Sequence, residues 1–264
     1  MALSFCSFSS GSSGNCYMVK TKETALLIDA GISAKKIFAG LEQTDTNKEE
    51  LTGLLVTHEH SDHVRSLGTV LKRQKDLSVY ANEKTLYALE KTVEPIRSKP
   101  FKNGKPFTIG DISVKAFQVS HDAADPVGYS FYADGKQISI VTDTGCIREE
   151  MIHEVVDADI LVLEANHDVN MLKIGRYPWF LKQRILGEKG HLSNETAGKF
   201  LVKLLSKQIK ERRILLAHLS HQNNFPEMAF QTVKNILEEE RYYIGTNVKL
   251  NTIIRDEISS VYQV

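Results

Sequence analysis

Cysteine is scarce in this chain. Its three copies, Cys6, Cys16 and Cys146, are odd in number and show no CxxC spacing, too few for a disulfide framework. Also missing is any apolar run near the ~20 residues that a membrane-spanning helix needs. No basic segment followed by an apolar stretch stands at the N-terminus, so no secretory signal is expected. Together these absences predict a reducing, cytoplasmic setting. Glycine (16) and proline (6) are modest for 264 residues, and 42% hydrophobic against 25% charged residues excludes a disordered chain. A chain of this length can bury a core of ordinary size. Because no repeat, low-complexity tract or linker divides it, residues 1–264 read as one domain.

Net charge is lacking as well, with 33 basic residues matched by 33 acidic ones. The balance is not local. Residues 171–213 hold eleven Lys or Arg against three acids, Glu188, Glu195 and Glu211, and so make one strongly basic block in an otherwise acidic chain. Such a block has two readings. It fits a phosphate-rich ligand such as nucleic acid, and the part over 199–213 also fits the solvated face of an amphipathic helix.

What is present alternates between strand and helix signals. Apolar, β-type runs at 3–8, 15–20 and 25–29 open the chain, with a Ser/Gly turn over 9–14. Ser33 caps a predicted helix to about 42, 51–56 reads as a buried strand, and 64–74 reads as a helix with Val64, Leu67, Val70 and Leu71 on one face. Asn82 starts another helix. Strands follow at 111–120, 129–133 and 137–142, with Asp134-Gly135 as a hairpin turn. A helix near 149–156, a strand at 160–164, an irregular aromatic and basic stretch, a helix at 193–208, a strand at 214–217 and a helix at 226–240 complete the series. Two sets of strands, each followed by helices, fit an α/β (α+β) fold, a four-layer αβ/βα sandwich of two mixed sheets with outer helices, and the pattern equally allows other α+β layerings.

The sharpest motif is Thr57-His58-Glu59-His60-Ser61-Asp62-His63, directly after the apolar Leu54-Leu55-Val56. Four metal-ligand side chains fall within six positions. Imidazole and carboxylate suit Zn, Mn or Fe, and packing alone does not account for three histidines here, since each buried imidazole needs its own polar partner. Three further residues end strand runs as His58 does: His121, Asp143 and His218.

These residues resemble the metallo-β-lactamase fold superfamily, whose HxHxDH motif, later His, Asp and final His match His58, His60, Asp62, His63, His121, Asp143 and His218. The match begins at Asp29, which ends an early strand, and covers most of the chain. The resemblance implies one divalent ion (Zn, Mn or Fe) held by His58, His60 and His121, a second held by Asp62, His63 and His218, and Asp143 bridging them. It further implies a bridging hydroxide as nucleophile, and Asp29 orienting a ligand histidine. True β-lactamases of this fold lack a bridging carboxylate at the position of Asp143, so antibiotic hydrolysis is not expected. Phosphoester chemistry is favoured by Gly190-His191-Leu192-Ser193-Asn194. There Ser193 opens a helix, whose N-terminus can receive phosphate, and His191 matches a general acid of phosphodiesterase members. Tyr177 and Trp179, set among Arg176, Lys182 and Arg184, suit stacking on bases and contacts to phosphate, and Trp179 equally suits the core.

More narrowly, the turn 10–16, the segment Glu164-Ala165-Asn166-His167-Asp168, Arg176-Tyr177-Pro178 and the 190–194 segment together are similar to the YycJ/WalJ group of bacterial proteins. That similarity implies an exonuclease acting on double-stranded DNA from the 5′ end, tied to DNA repair and cell-wall-linked regulation. Only 48 positions separate Asp143 from His191, leaving no room for the clamp domain of ribonuclease J-type enzymes. Substrate contacts are therefore expected from Ser12, Ser13, Asn15, Asn166, His167, Arg176, Ser193 and Asn194, with Asp62 and His191 catalytic. Two rivals share the same ions: a small-molecule hydrolase, acting as cyclic phosphodiesterase or glyoxalase-like thioesterase, and a non-enzymatic metal-binding regulatory module.

Overall fold

The computed structural model describes residues 2–94, 96–208, 210–246 and 248–264. Among them the chain forms two seven-stranded sheets. In the first, β1 (Ser4–Ser9), β2 (Cys16–Lys20), β3 (Ala25–Ile28), β4 (Leu51–Leu55), β5 (Val79–Asn82) and β6 (Ser98–Phe101) follow one another in space, with β14 (Tyr262–Gln263) outside β1. In the second, β7 (Pro106–Ile109), β8 (Ile112–Gln118), β9 (Val127–Ala133), β10 (Lys136–Val141), β11 (Ile160–Glu164), β12 (Arg212–Ala217) and β13 (Val248–Thr252) do the same. Each sheet begins antiparallel and turns parallel, from β3 to β6 in one and from β10 to β13 in the other.

The parallel strands are the near-continuous apolar runs, because both of their faces are covered. In β11, Ile160 and Val162 point into the layer between the sheets, whereas Leu161 and Leu163 point to the outer helices. Leu26 and Ile28 of β3 face the same inner layer, and Leu27 faces outward. One outer layer holds α1 (Ala34–Gln43), α3 (Leu67–Arg73) and α4 (Glu83–Leu89); the other holds α5 (Glu149–Val155), α8 (Asn194–Lys207) and α9 (Pro226–Glu239). Of the layerings that the strand pattern allows, this is the four-layer sandwich that the family resemblance implies. No helix among the described residues is long and apolar enough to cross a membrane.

Local chemistry explains most boundaries. Ser33, Asn82 and Ser193 cap α1, α4 and α8 by accepting from the Lys36, Thr85 and Thr196 amides. Asp134 and Gly135 both adopt left-handed φ angles, 48° and 71°, as the two-residue hairpin between β9 and β10 requires. Elsewhere the structure departs from expectation. The helix expected over 64–74 is broken into α2 (Ser61–Val64) and α3, because the Ser66 amide bonds to the Ala30 carbonyl rather than continuing the helix. The stretch expected to be irregular contains α6 (Val169–Ile174) and α7 (Trp179–Leu186). Five short strands, β5, β6, β7, β13 and β14, carry no period strong enough to read locally.

Candidate metal centre

All the histidines and carboxylates of interest leave their sheets at one rim. Asp29 follows β3, His58 to His63 follow β4, His121 follows β8, Asp143 follows β10, Glu164 ends β11 and His218 follows β12. Chain ends of parallel strands are the usual place for a site in α/β layers. Three of these residues, Asp29 (φ 63°), Asp143 (57°) and His218 (56°), sit in the left-handed region. For non-glycine residues that conformation costs roughly 1–3 kcal/mol, and here it turns each side chain back over the strand ends.

The loop carrying His58 to His63 is pinned by backbone. The amides of Asn15 and Ala30 donate to the Asp62 and His63 carbonyls at 2.8 and 2.7 Å, and that of Gly31 to the Asn15 carbonyl at 2.9 Å. A methyl group on Gly31 would lie 1.6 Å from the Asp62 carbonyl oxygen, so this crossing admits only glycine.

The ligand atoms of His58, His60 and His121 converge within 4.8 Å of one another, as do those of Asp62, His63 and His218. Asp143 joins the two sets: its Oδ2 is 3.4 Å from His63 Nε2, and its Oδ1 is 3.5 Å from His218 Nε2 and 3.9 Å from His121 Nε2. Four imidazoles are aimed inward by fixed partners on Nδ1. That atom donates to Asp29 Oδ2 in His63 (2.7 Å), to Glu164 Oε1 in His218 (2.8 Å) and to the Gly190 carbonyl in His121 (3.1 Å), while in His58 it meets the Thr57 hydroxyl (3.0 Å). Nε2 is thereby left to face the centre.

Burial and charge together suit this cluster to cations. Burial works against ionisation of Asp143, yet His218 and His63 outweigh it and hold the carboxyl well below its usual range. Burial likewise opposes charge on His63, but Asp143 and Asp29 raise it well above the ordinary value; His218 is raised to about 9 against burial, chiefly by Asp143 and Glu164. His58 goes the other way, pushed well down by burial and by His63. The centre draws positive charge but has no room to protonate every ring. Three buried atoms, His58 Nε2, His218 Nε2 and Asp143 Oδ2, have no hydrogen-bond partner. Unpaired buried groups of this kind are costly, and divalent cations fit this mixed imidazole and carboxylate set.

A shared carboxylate, Glu164, extends the network. Its Oε1 accepts from both His191 Nδ1 and His218 Nδ1 at 2.8 Å, and its Oε2 from the Thr144 and Leu192 amides. Burial opposes its charge, but His191 and His218 lower its pKa to about 2. The sequence reading gave Glu164 no role at the centre, although it is an acid at the end of an apolar strand, the signal that marked Asp143. Thr57 is a second omission. Its hydroxyl donates to Asp29 Oδ2 and bridges toward His58 and His63.

Above the centre lies a cleft of about 260 Å³, lined among others by Ser12, Asp122, Asn166, Tyr177, Arg184 and His191. Arg184 Nε donates to Asp122 Oδ2 at 2.5 Å across its mouth. Ser12 and Asn166 thus reach the cleft as expected. Other anticipated substrate residues do not line it. Asn15 is fully buried; its carboxamide bonds to Gly11 and lies 3.0 Å from His63 Nε2, which makes it a brace of the turn and the loop. Ser193 spends its hydroxyl on the α8 cap, and Asn194 is buried against Asn224. Ser13 and Arg176 point to solvent. His167 is buried with neither ring nitrogen bonded, and burial pushes its pKa to about 4, so it is neutral.

The basic block divides in two. On α8, Lys203 and Lys207 pair with Glu149, and beyond it Lys210 pairs with Asp159, the solvated-face reading. In the part over 173–189, Arg184 lines the cleft while Lys173, Arg176 and Lys189 are exposed. Trp179 is exposed rather than core.

Comparison with known proteins places the chain among relatives. The family model described as Beta-lactamase superfamily domain matches residues 24–219. The chain is 44% identical over 248 residues to Exodeoxyribonuclease YycJ of Bacillus anthracis, covering 93% of each. It is 42% identical over 246 residues to Exodeoxyribonuclease WalJ of Streptococcus pneumoniae, covering 91% of this chain and 90% of that one. Among solved structures it resembles the metallo-beta-lactamase fold protein YhfI from Bacillus subtilis (TM-score 0.75, 17% identity, 100% and 99% covered) and yeast PDE1 (0.73, 14%, 98% and 99%). These two likenesses bear on the fold alone.

Proposed function

The chain belongs to the beta-lactamase superfamily, in the group of the bacterial proteins YycJ and WalJ, and from that premise we propose that it is a metal-dependent phosphodiesterase that digests DNA from a strand end. One observation carries the reading. Beside two complete ligand sets joined by Asp143 stands a further histidine, His191, that neither set needs, and Glu164 holds it by Nδ1.

In this reading residues 1–264 are one hydrolase domain working in a reducing, cytoplasmic setting. His58, His60 and His121 would hold one divalent ion and Asp62, His63 and His218 a second, with Asp143 available to both; Zn, Mn and Fe all suit the set. When bound, such ions lower the pKa of water toward neutrality and stabilise charge developing on phosphoryl oxygens. The protein does the rest. Asp29 and Thr57 fix the rings of His63 and His58, and Glu164 fixes His218 and His191 together. Because Nδ1 of His191 donates to Glu164, its Nε2 is the atom that carries a proton to the leaving oxygen. Ser12, Asn166 and Arg184 contact the phosphate backbone, and Tyr177 a base.

A second reading has one observation in its favour. The size of the cleft suits a small phosphodiester as well as one nucleotide. Digestion of end-labelled, 5′-phosphorylated duplex by manganese-loaded protein, run beside bis(p-nitrophenyl) phosphate across a salt series, separates the two. A DNA enzyme weakens steeply with salt as released counterions oppose binding, and the label reports the 5′ to 3′ direction. Turnover of the small ester alone, indifferent to salt, would overturn the nuclease reading.

A further inference from the structure

Resting on the nuclease reading, we propose that α7 parts the end of a DNA duplex, passing one strand into the cleft while the aromatic side chains of its first turn stack on the bases set free. The cleft supplies the first constraint. His121, Asp143 and His218 line it and are themselves buried, so a strand has to enter the cleft for its phosphate to reach them. The strands of a duplex part at the mouth as one of them enters, and the bases lose the partners they stacked on.

Side chains able to cover those bases stand at that place. Trp179 is 66% exposed and Phe180 72%, large apolar surfaces that packing would ordinarily hide. Helical spacing explains what each faces. Leu181, Arg184 and Ile185 line the cleft; Phe180, one turn before Arg184, shares its edge, and Trp179 lies on the opposite side of the helix. Tyr177, two residues earlier, lines the cleft itself. Aromatic surface thus runs from inside the cleft around the start of α7, where one strand can pass on each side. Every base offers a π-face, so such stacking is indifferent to sequence.

Charge selects the occupant. Between residues 169 and 190 the lone acid is Glu188, whereas Lys173, Arg176 and Lys189 are exposed cations. Two copies of this chain meeting through α7 would bring like charges together. A phosphate backbone would be attracted.

The experiment compares the W179A/F180A double variant with wild type, both full-length and manganese-loaded, on a blunt duplex and on the same duplex with a mismatched end. Each stacked base is worth on the order of tenfold, so the variant should slow at least tenfold more on the blunt end than on the mismatched one, and W179F/F180Y should restore the blunt rate. Both side chains are exposed, and an unchanged melting temperature would verify an intact fold. Equal slowing on both duplexes, or none on either, overturns the proposal. An unmoved ratio accompanied by loss of self-association on gel filtration overturns it in favour of a subunit contact. Wild-type protein that digests neither duplex removes the nuclease reading itself, and the proposal with it; digestion of both with the ratio unmoved removes the proposal alone.

Discussion

The floor of the cleft and its rim are built by opposite means. On the floor, four imidazoles are fixed twice over, by burial and by a bonded Nδ1, and two of the partners of that atom are themselves held: Asp29 by the Thr57 amide, Glu164 by the Thr144 and Leu192 amides. On the rim, α6 and α7 are short, Arg184 makes a half-exposed ion pair, and Trp179 and Phe180 are largely exposed. The difference teaches where rigidity is placed. Ligand geometry tolerates little displacement, whereas a surface that meets a long polymer must accommodate varied sequence. Within the rim, the Lys182 ammonium donates to the Lys173 carbonyl and ties α7 to α6.

The strongest way to break this comparison is at Asp143, the residue common to both ligand sets. Asp143→Ala should lose bound metal by elemental analysis and activity to the limit of detection; retention of both ions would deny the floor its shared carboxylate. Next in size is His191→Ala, which should keep the ions yet lower turnover by roughly 10²–10⁴-fold, the worth of general acid catalysis. An unchanged rate removes the proton-transfer assignment and leaves His191 as part of the rim.

A smaller effect concerns pH. His218 has its pKa raised to about 9, so at neutral pH its ring carries a proton that a metal must displace. Affinity should therefore rise with pH, by about tenfold per unit below 9 for each proton released, and calorimetry in buffers of different ionisation enthalpy counts those protons. Binding that is flat from pH 6 to 9 would show the floor to be proton-free beforehand. Smallest is Ser193→Ala, which removes the α8 cap and should cost about 1 kcal/mol of stability. Denaturant unfolding measures that loss; a raised KM for duplex DNA, without the loss, would return Ser193 to the substrate surface.

Much of the floor was legible because its signals are local. His58, His60, Asp62 and His63 lie within one loop, and His121, Asp143 and His218 each end an apolar run, so strand endings pointed to them without a view of the sheets. Glu164 obeys the same rule and went unassigned, because an acid at the end of a strand declares nothing until its neighbours are seen. The rim was barely legible. Helices α6 and α7 bury little of their surface, so their apolar residues lack the periodic pattern that marks α8. Asn15, Ser193 and Asn194 are residue types that suit phosphate contacts and bracing turns equally well, and burial alone separates the two.

The sequence by itself determined most of the strand and helix order, and the residue types of the candidate ligands with the order in which strand ends present them, since these depend on side-chain period and on residues adjacent in the chain. Only the tertiary structure decided which carboxylate links which histidine, which cation of the basic block lines the cleft, and that Asp29, Asp143 and His218 bend back in left-handed conformations. Those outcomes arise from contacts between segments tens to hundreds of residues apart, where packing and burial determine the partners.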